Sequence, residues 1–309
     1  MFMENLGGSP PAFLVGAGRS GTTLLYKLLA AHPLVGYLNN YLTRLPRFDS
    51  VILGNRLLQD HYTLKRRAWF DDRGGAFLGG RRHRPGRWFP TPEECEPFYK
   101  RCGFPEMVPS NWVPTAETQS RARRLFGRIR QLNGTPLLLS KRTANNRRIP
   151  ALHATFPDSR FVVLHRDGRA VAQSLVQVHW WDDHILYWDG RTPRELVRRG
   201  ADALDLAAQN WAHEVRDMSA GLACIPASQV IYLRYDELLT EPGAQLRRVL
   251  TFLGVDPDYS PGYWQLIATL NLRYQGEHWQ PRWTAEQRAR VEAVQADILA
   301  AVGYLGDLR

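Results

Sequence analysis

Between Ala12 and His32 the chain passes from a strand-length apolar stretch, AFLVG, through a turn of small and basic residues into a helix-length segment closed by His32-Pro33. The turn reads Gly16-Ala17-Gly18-Arg19-Ser20-Gly21-Thr22-Thr23. A buried strand that feeds a glycine-rich turn and then a helix is the opening of a parallel β-α-β unit. Glycines let successive amides converge without Cβ clashes, and the start of the helix adds unpaired N–H groups and a partial positive charge. Ser20, Thr22 and Thr23 contribute hydroxyls and Arg19 a fixed cation. The turn is therefore a candidate cradle for a phosphate-like anion. Its G-x4-G spacing matches a P-loop, yet Thr22 stands where the P-loop lysine would hold β- and γ-phosphates. An ordinary strand-turn-helix connection is the plainer alternative.

The alternation continues downstream. Strands are expected at 35–38, 136–141 (PLLLSK), 160–167 (RFVVLHRD) and 229–235 (QVIYLRY). Helices are expected over 115–132, 146–156, 168–178, 193–220, 242–255 and 284–301. This pattern predicts an α/β fold: a P-loop-like central parallel sheet flanked by helices, in one domain spanning residues 1–309. Residues 44–115 lose periodicity and are rich in Arg, Trp, Phe, Pro and Gly, which marks an irregular or helical cap insertion. Its basic run Arg81, Arg82, His83, Arg84 and Arg87 suits a solvated face or a ligand contact.

The net charge is +10, and among 40 basic residues the lysines are only Lys27, Lys65, Lys100 and Lys141. Arginine keeps its charge and forks onto phosphate or sulfate, so an anionic ligand or partner surface is expected. Coding bias toward arginine accounts for the Arg/Lys ratio equally well. Three cysteines, Cys95, Cys102 and Cys224, form no C-x-x-C pair. That fits a reducing compartment without a disulfide framework or zinc site, a Cys95–Cys102 bridge being the lesser alternative. With no leader pattern at the N-terminus and no apolar run long enough for a bilayer, a cytoplasmic location without a membrane-spanning segment is expected.

A second anion site is legible at the fourth strand. FVVLH ends in Arg166-Asp167-Gly168-Arg169, and Ser174 lies two turns into the following helix. An arginine at a strand's carboxyl end and such a serine can grip one phosphate, at the sheet edge where open α/β folds bind ligands.

Together these blocks resemble the nucleotide-dependent sulfotransferase family, nearest in motif to its tyrosylprotein and bacterial branch. FLVGAGRSGTTLLYKLLAAHP resembles the family's 5′-phosphosulfate loop and FPDSRFVVLHRDGRAVAQS its 3′-phosphate motif. Tyr235-Asp236-Glu237-Leu238-Leu239 with Glu241-Pro242 and QLRRVLTFLGV resembles a third shared block. The resemblance implies transfer of a sulfuryl group from 3′-phosphoadenosine 5′-phosphosulfate (PAPS) to an acceptor hydroxyl, with release of 3′,5′-diphosphoadenosine (PAP). It implies that Arg19, Ser20, Gly21, Thr22 and Thr23 bind the 5′-phosphosulfate, Arg166 and Ser174 the 3′-phosphate, and that Tyr235 lies near the adenine. Lys141 matches a family lysine that approaches the transferring group, and Arg273 and Arg282 would close over the nucleotide. The expected partners are the donor and a hydroxyl acceptor (carbohydrate, phenol, lipid or other small molecule), without nucleic acid. Homodimerisation stays open.

Sulfuryl transfer, like phosphoryl transfer, asks for positioning and fixed positive charge. Arg19 and Lys141 suit that role. One unit of charge on the migrating group makes a metal dispensable. The acceptor hydroxyl needs a base, and here the chain departs from the family. Tyrosine sulfotransferases carry a glutamate shortly after the first helix, where this chain has Asn39-Asn40. The cytosolic branch has a histidine two residues after the lysine, where this chain has Thr143. Asp49, His179, Asp183 and His184 are the candidates, with His184 taken as the catalytic one. The Trp-rich segments 69–112 and 180–188 suit either an acceptor platform or core packing. A P-loop kinase or NTPase, and a polyanion binder without turnover, are the rival readings.

Overall fold

The computed structural model describes residues 10–70, 88–108, 112–272 and 282–305. Five parallel strands form its sheet: β1 (Ala12–Val15), β2 (Val35–Tyr37), β3 (Leu137–Lys141), β4 (Phe161–His165) and β5 (Val230–Arg234), in the order β2-β3-β1-β4-β5. Phe13 on β1 is in register with Ser140 on β3 and Phe161 on β4. The first four strands are buried along their whole length, as a sheet covered on both faces requires.

Side chains alternate between the two layers. Ala12, Leu14, Val162 and Leu164 pack with α1 (Thr22–Ala30), α4 (Tyr62–Trp69), α12 (Pro242–Phe252) and α13 (Pro261–Thr269). Phe13, Val15, Phe161 and Val163 pack with α5 (Glu96–Cys102), α6 (Ala116–Asn133), α7 (Ile149–Thr155), α8 (Gly168–Leu175), α10 (Ala203–Leu222) and α14 (Ala285–Ala301). The short helices α2 (Asn40–Arg44), α3 (Gly54–Leu57), α9 (Pro193–Val197) and α11 (Tyr235–Thr240) complete the set. The chain leaves β1 on the α1 face and turns toward β2, but leaves β4 on the α8 face and turns toward β5. Adjacent strands whose exits diverge open a crevice at their carboxyl ends, the place where such sheets bind ligands.

Two expected helices are broken. The segment 193–220 divides into α9 and α10 because Gly200 takes φ 97° and Asp202 then caps α10, accepting from the Leu204 amide at 2.8 Å. The segment 146–156 begins as a 3-10 turn, Thr143–Arg147, and becomes α-helical only at α7, where Pro150 suits the first turn. The helices α2, α11 and α13 are additions, and the described part of the insertion holds α3 to α5. The basic run 81–87 and Arg273 lie outside the described residues. No helix among the described residues is long and apolar enough to cross a membrane.

Candidate active site

The loop after β1 is held from several directions. A Cβ at Gly16 would stand 2.6 Å from the Leu164 carbonyl oxygen of β4, so only glycine lets the strands approach this closely. Asn146, fully buried on the 3-10 turn after β3, clamps the same residue. Its Oδ1 accepts from the Gly16 amide at 3.0 Å and its Nδ2 donates to the Gly16 carbonyl at 3.1 Å. Arg19 adopts φ 67°, a left-handed conformation rare outside glycine. This bend sends its guanidinium across the crevice, where Nε donates to Ser174 Oγ on α8 at 3.0 Å. Arg166, at the end of β4, donates through Nη1 to the Arg19 carbonyl at 2.9 Å.

The remaining loop groups face the same crevice wall. The Ser20 hydroxyl is buried with no hydrogen-bond partner among the described residues, a donor without an internal use there. Gly21 caps α1 at φ 90°, and the ring of Tyr235 lies where a Cβ would project. The Arg166 guanidinium sits 4.6 Å over that ring. Thr22 is buried, while Thr23 is half-buried and accepts from Lys141 Nζ at 3.4 Å. Burial and the neighbouring Arg166 cation both lower the pKa of Arg19, against the opposing pull of Tyr235. An anion between the two guanidiniums would relieve that repulsion. Arg19, Arg166, Ser174 and Tyr235, read from separate segments, therefore meet at one edge. A buried orphan hydroxyl, two convergent cations and an aromatic face fit a phosphorylated, ring-bearing donor. Arg282 is exposed, but its neighbour Trp283 donates to Gln173, beside Ser174.

Lys141 ends β3 and is buried, with its ammonium bonded to Glu94 Oε1. Glu94 lies in the insertion, on a stretch pinned to the Leu38 carbonyl by the amide of Glu93 at 2.9 Å. Its other oxygen pairs with Arg142 Nη1 at 2.6 Å and accepts from the Thr143 amide at 3.3 Å. Burial alone would raise the Glu94 carboxyl, but Lys141 and Arg142 outweigh it and hold the pKa at about 2. The next residue, Cys95, has φ 50°; with Arg19 it is the only non-glycine in the left-handed region among the described residues. Such strain gathers at functional sites. The spacing had not singled out Glu94, Asn146 or Glu214, a buried carboxylate of α10 whose Oε2 accepts from the Gly18 amide at 2.6 Å.

The expected bases fare differently. Asp49 is buried between Arg101 (2.5 Å) and Arg128 (3.0 Å), which makes it structural. Asp183 pairs with Arg194 at 2.8 Å on the surface, and His179 is exposed. His184 is exposed and stacks on Trp181 with centroids 6.1 Å apart. Desolvation of its ring, then Arg147 and Arg142, lower its pKa, so it stands within electrostatic reach of the Glu94 group. Asp167, the acid a kinase would need, is committed to capping α8 and to the buried Arg169 at 2.9 Å. Cys95 and Cys102 are free thiols. Among the described residues no three His, Cys, Asp or Glu side chains are grouped as metal ligands would be.

Known sulfotransferases resemble this chain in sequence and in fold. Omega-hydroxy-beta-dihydromenaquinone-9 sulfotransferase Stf3 of Mycobacterium tuberculosis is 25% identical over 317 residues, covering 97% of this chain and 77% of that protein. The crystal structure of sulfotransferase STF9 from Mycobacterium avium superposes with a TM-score of 0.60 at 17% identity, over 95% of this chain and 76% of that one. Sulfotransferase STF1 from Mycobacterium tuberculosis H37Rv gives 0.56 at 18% identity, over 94% and 77% of the two chains. These two structures share the fold. The sulfotransferase family model matches residues 10–260, and this chain belongs to that family of enzymes.

Proposed function

We propose that the chain transfers the sulfuryl group of PAPS to the hydroxyl of an apolar, lipid-like alcohol. The single observation behind the donor assignment is the direct contact of the Arg19 loop with Arg166 and Ser174. Two anion-binding groups that touch across β1 and β4 suit the two ends of one doubly phosphorylated nucleoside. In this reading Arg19, Ser20, Gly21, Thr22 and Thr23 receive the 5′ end, Arg166 and Ser174 the 3′-phosphate, and Tyr235 flanks the adenine. PAPS supplies an activated sulfur whose bond to the bridging phosphate oxygen breaks as the acceptor oxygen bonds to it.

The chain's own groups do the rest. Lys141 and Arg19 hold positive charge at the bridging oxygen as it gains negative charge. Glu94 is the better base, because it already touches Lys141 and Thr143, whereas His184 lies at the rim. When Lys141 turns from Glu94 to the developing anion, Glu94 loses its strongest stabilising cation and becomes basic enough to take the acceptor proton. The lipid-like acceptor is suggested by the related enzyme, whose name gives it a hydroxylated menaquinone. The exposed apolar Trp180 and Ile185 beside His184 agree with that chemistry. The test is sulfur-labelled PAPS offered with polyprenyl alcohols, phenols, sugars and peptides, with sulfated products read by mass spectrometry. Labelled polyprenyl sulfate, absent in Lys141→Met, supports the reading. Failure of the protein to bind PAP at all overturns the donor site, and preference for another acceptor overturns the lipid assignment.

A further inference from the structure

Glu214 contradicts the simple picture of an anion cradle. The Gly18 amide, which should serve an incoming phosphate-like group, donates to Glu214 Oε2 at 2.6 Å. The other carboxylate oxygen accepts from Asn210 Nδ2, one turn earlier on α10, at 3.2 Å. The side chain is buried, and both its oxygens lie 3.8 Å from where a Gly18 Cβ would be. Two residues further on is the buried Ser20 hydroxyl, with no hydrogen-bond partner among the described residues. A phosphoanion at this loop would sit against a carboxylate with little water between them.

Such a pair of like charges is relieved when one accepts a proton. Resting on the donor site argued above, we propose that Glu214 is a positioning residue that holds the Gly18 amide and takes up one proton when a phosphorylated nucleotide seats in the loop. Donor affinity is then coupled to pH by this one carboxyl. The surroundings favour it. Burial pushes the Glu214 carboxyl up and Glu94 adds to this, while the Gly18 amide, Asn210 and Arg147 pull it down. Tyr187, whose ring lies 3.7 Å under the Arg147 guanidinium, Asp217, the adjacent His213 on α10 and the loop's own Arg19 are further charged or titratable groups nearby. The other elements packed on α10 bring charges already engaged: Arg169 with Asp167 and Glu292, Arg290 with Asp202 and Asp205, Asp297 with Arg216, and Arg194 with Asp183. On α9 the Glu195 carboxylate accepts from the Thr192 amide. His153 on α7 is the remaining imidazole on that side.

The experiment is calorimetric titration of the full chain with PAP at pH 7.5, in buffers of differing ionisation enthalpy, for wild type and Glu214→Gln. The amide keeps an acceptor for Gly18 but cannot titrate. Protons taken up by the ligand's own phosphates appear in both proteins, so the difference isolates Glu214. The expected result is up to one proton more in wild type. Its affinity should also fall with rising pH more steeply than the variant's, by as much as tenfold per pH unit. A purely structural Glu214 would change affinity but not the proton count. Should Glu214→Gln not fold, difference infrared spectra of wild type decide: PAP must bring in the carbonyl band of a newly protonated carboxylic acid. Binding with equal proton counts, or without that band, overturns the inference alone. No binding of PAP overturns the donor site and takes this inference with it.

Discussion

The Asn146 clamp gives the sharpest test of how the loop is held. Asn146→Ala removes both hydrogen bonds to Gly16, at 3.0 and 3.1 Å, and leaves that residue's buried N–H and C=O unpaired. A buried hydrogen bond contributes about 0.5–1.5 kcal/mol, and an orphaned partner costs about 1–3 kcal/mol. Two of the former, with at least one group left unsatisfied, total about 2–6 kcal/mol. At roughly 2 °C per kcal/mol for a chain of this size, Tm should fall by about 4–12 °C. Asn146→Asp should be no better. It keeps an acceptor for the Gly16 amide but turns a carboxylate toward the Gly16 carbonyl. Calorimetric unfolding measures the loss, and PAP titration should show affinity at least about tenfold weaker, because an unclamped Gly16 displaces every amide after it. A Tm within about 1 °C of wild type, or an Asn146→Asp protein that behaves normally, would refute the reasoning.

Other expectations follow from the same contacts. Arg166→Ala loses a charge-assisted donor of about 1.5–3 kcal/mol, so Kd for PAP should rise by roughly one to two powers of ten; an unchanged Kd removes Arg166 from the site. Glu94→Gln should abolish most turnover with PAP affinity nearly intact, whereas His184→Asn should keep most of its activity; the reverse ranking in steady-state assays would restore His184 as the base. The low pKa of Glu94 stabilises the fold above its ordinary carboxylate range. That contribution disappears as pH falls from about 4.5 toward about 2, so wild type should lose its stability advantage over Glu94→Gln across that interval in denaturant titrations. Burial lowers Lys65 to about 7, with Asp60 opposing, so its charged form is a liability below that pH. The stability of wild type relative to Lys65→Met should therefore climb from pH 7 to 9, and a flat difference would mean that Lys65 is well solvated. Burial pushes Cys95 and Cys102 up to about 12 while Cys224 is exposed, so native protein should take up one equivalent of maleimide, at Cys224, by mass spectrometry.

The sheet and the donor groups were legible because their signals are local. AFLVG, PLLLSK and FVVLH are short apolar runs that only a doubly covered sheet buries whole, and glycine, arginine and serine at fixed offsets announce an anion. Glu94 was hidden because its partner Lys141 lies across an insertion without periodicity. The clue was the acidic Glu93-Glu94-Cys95-Glu96 run inside an otherwise basic segment. Glu214 carried a clearer signal. It falls on the stripe of α10 shared by Ala207, Trp211 and Met218, and an acid on an apolar stripe demands a buried partner. Asn146 had no signal of its own, since an asparagine in a polar turn is ordinary. The break between α9 and α10 is hidden because helical periodicity runs through both segments, and the cue that marks it is Gly200 followed two residues later by the Asp202 cap.

The left-handed backbone at Arg19 and Cys95 has an evolutionary corollary. Glycine at either place would release steric energy of about 1–2 kcal/mol, set against about 0.5–1 kcal/mol of extra chain entropy. Breeding this protein for heat tolerance alone would thus be drawn to these two positions. At position 19 the hardened descendants would have discarded the cation that ties the loop to α8, and at position 95 the bend that presents Glu94 to Lys141. Survivors of such a screen should be sturdier and catalytically mute.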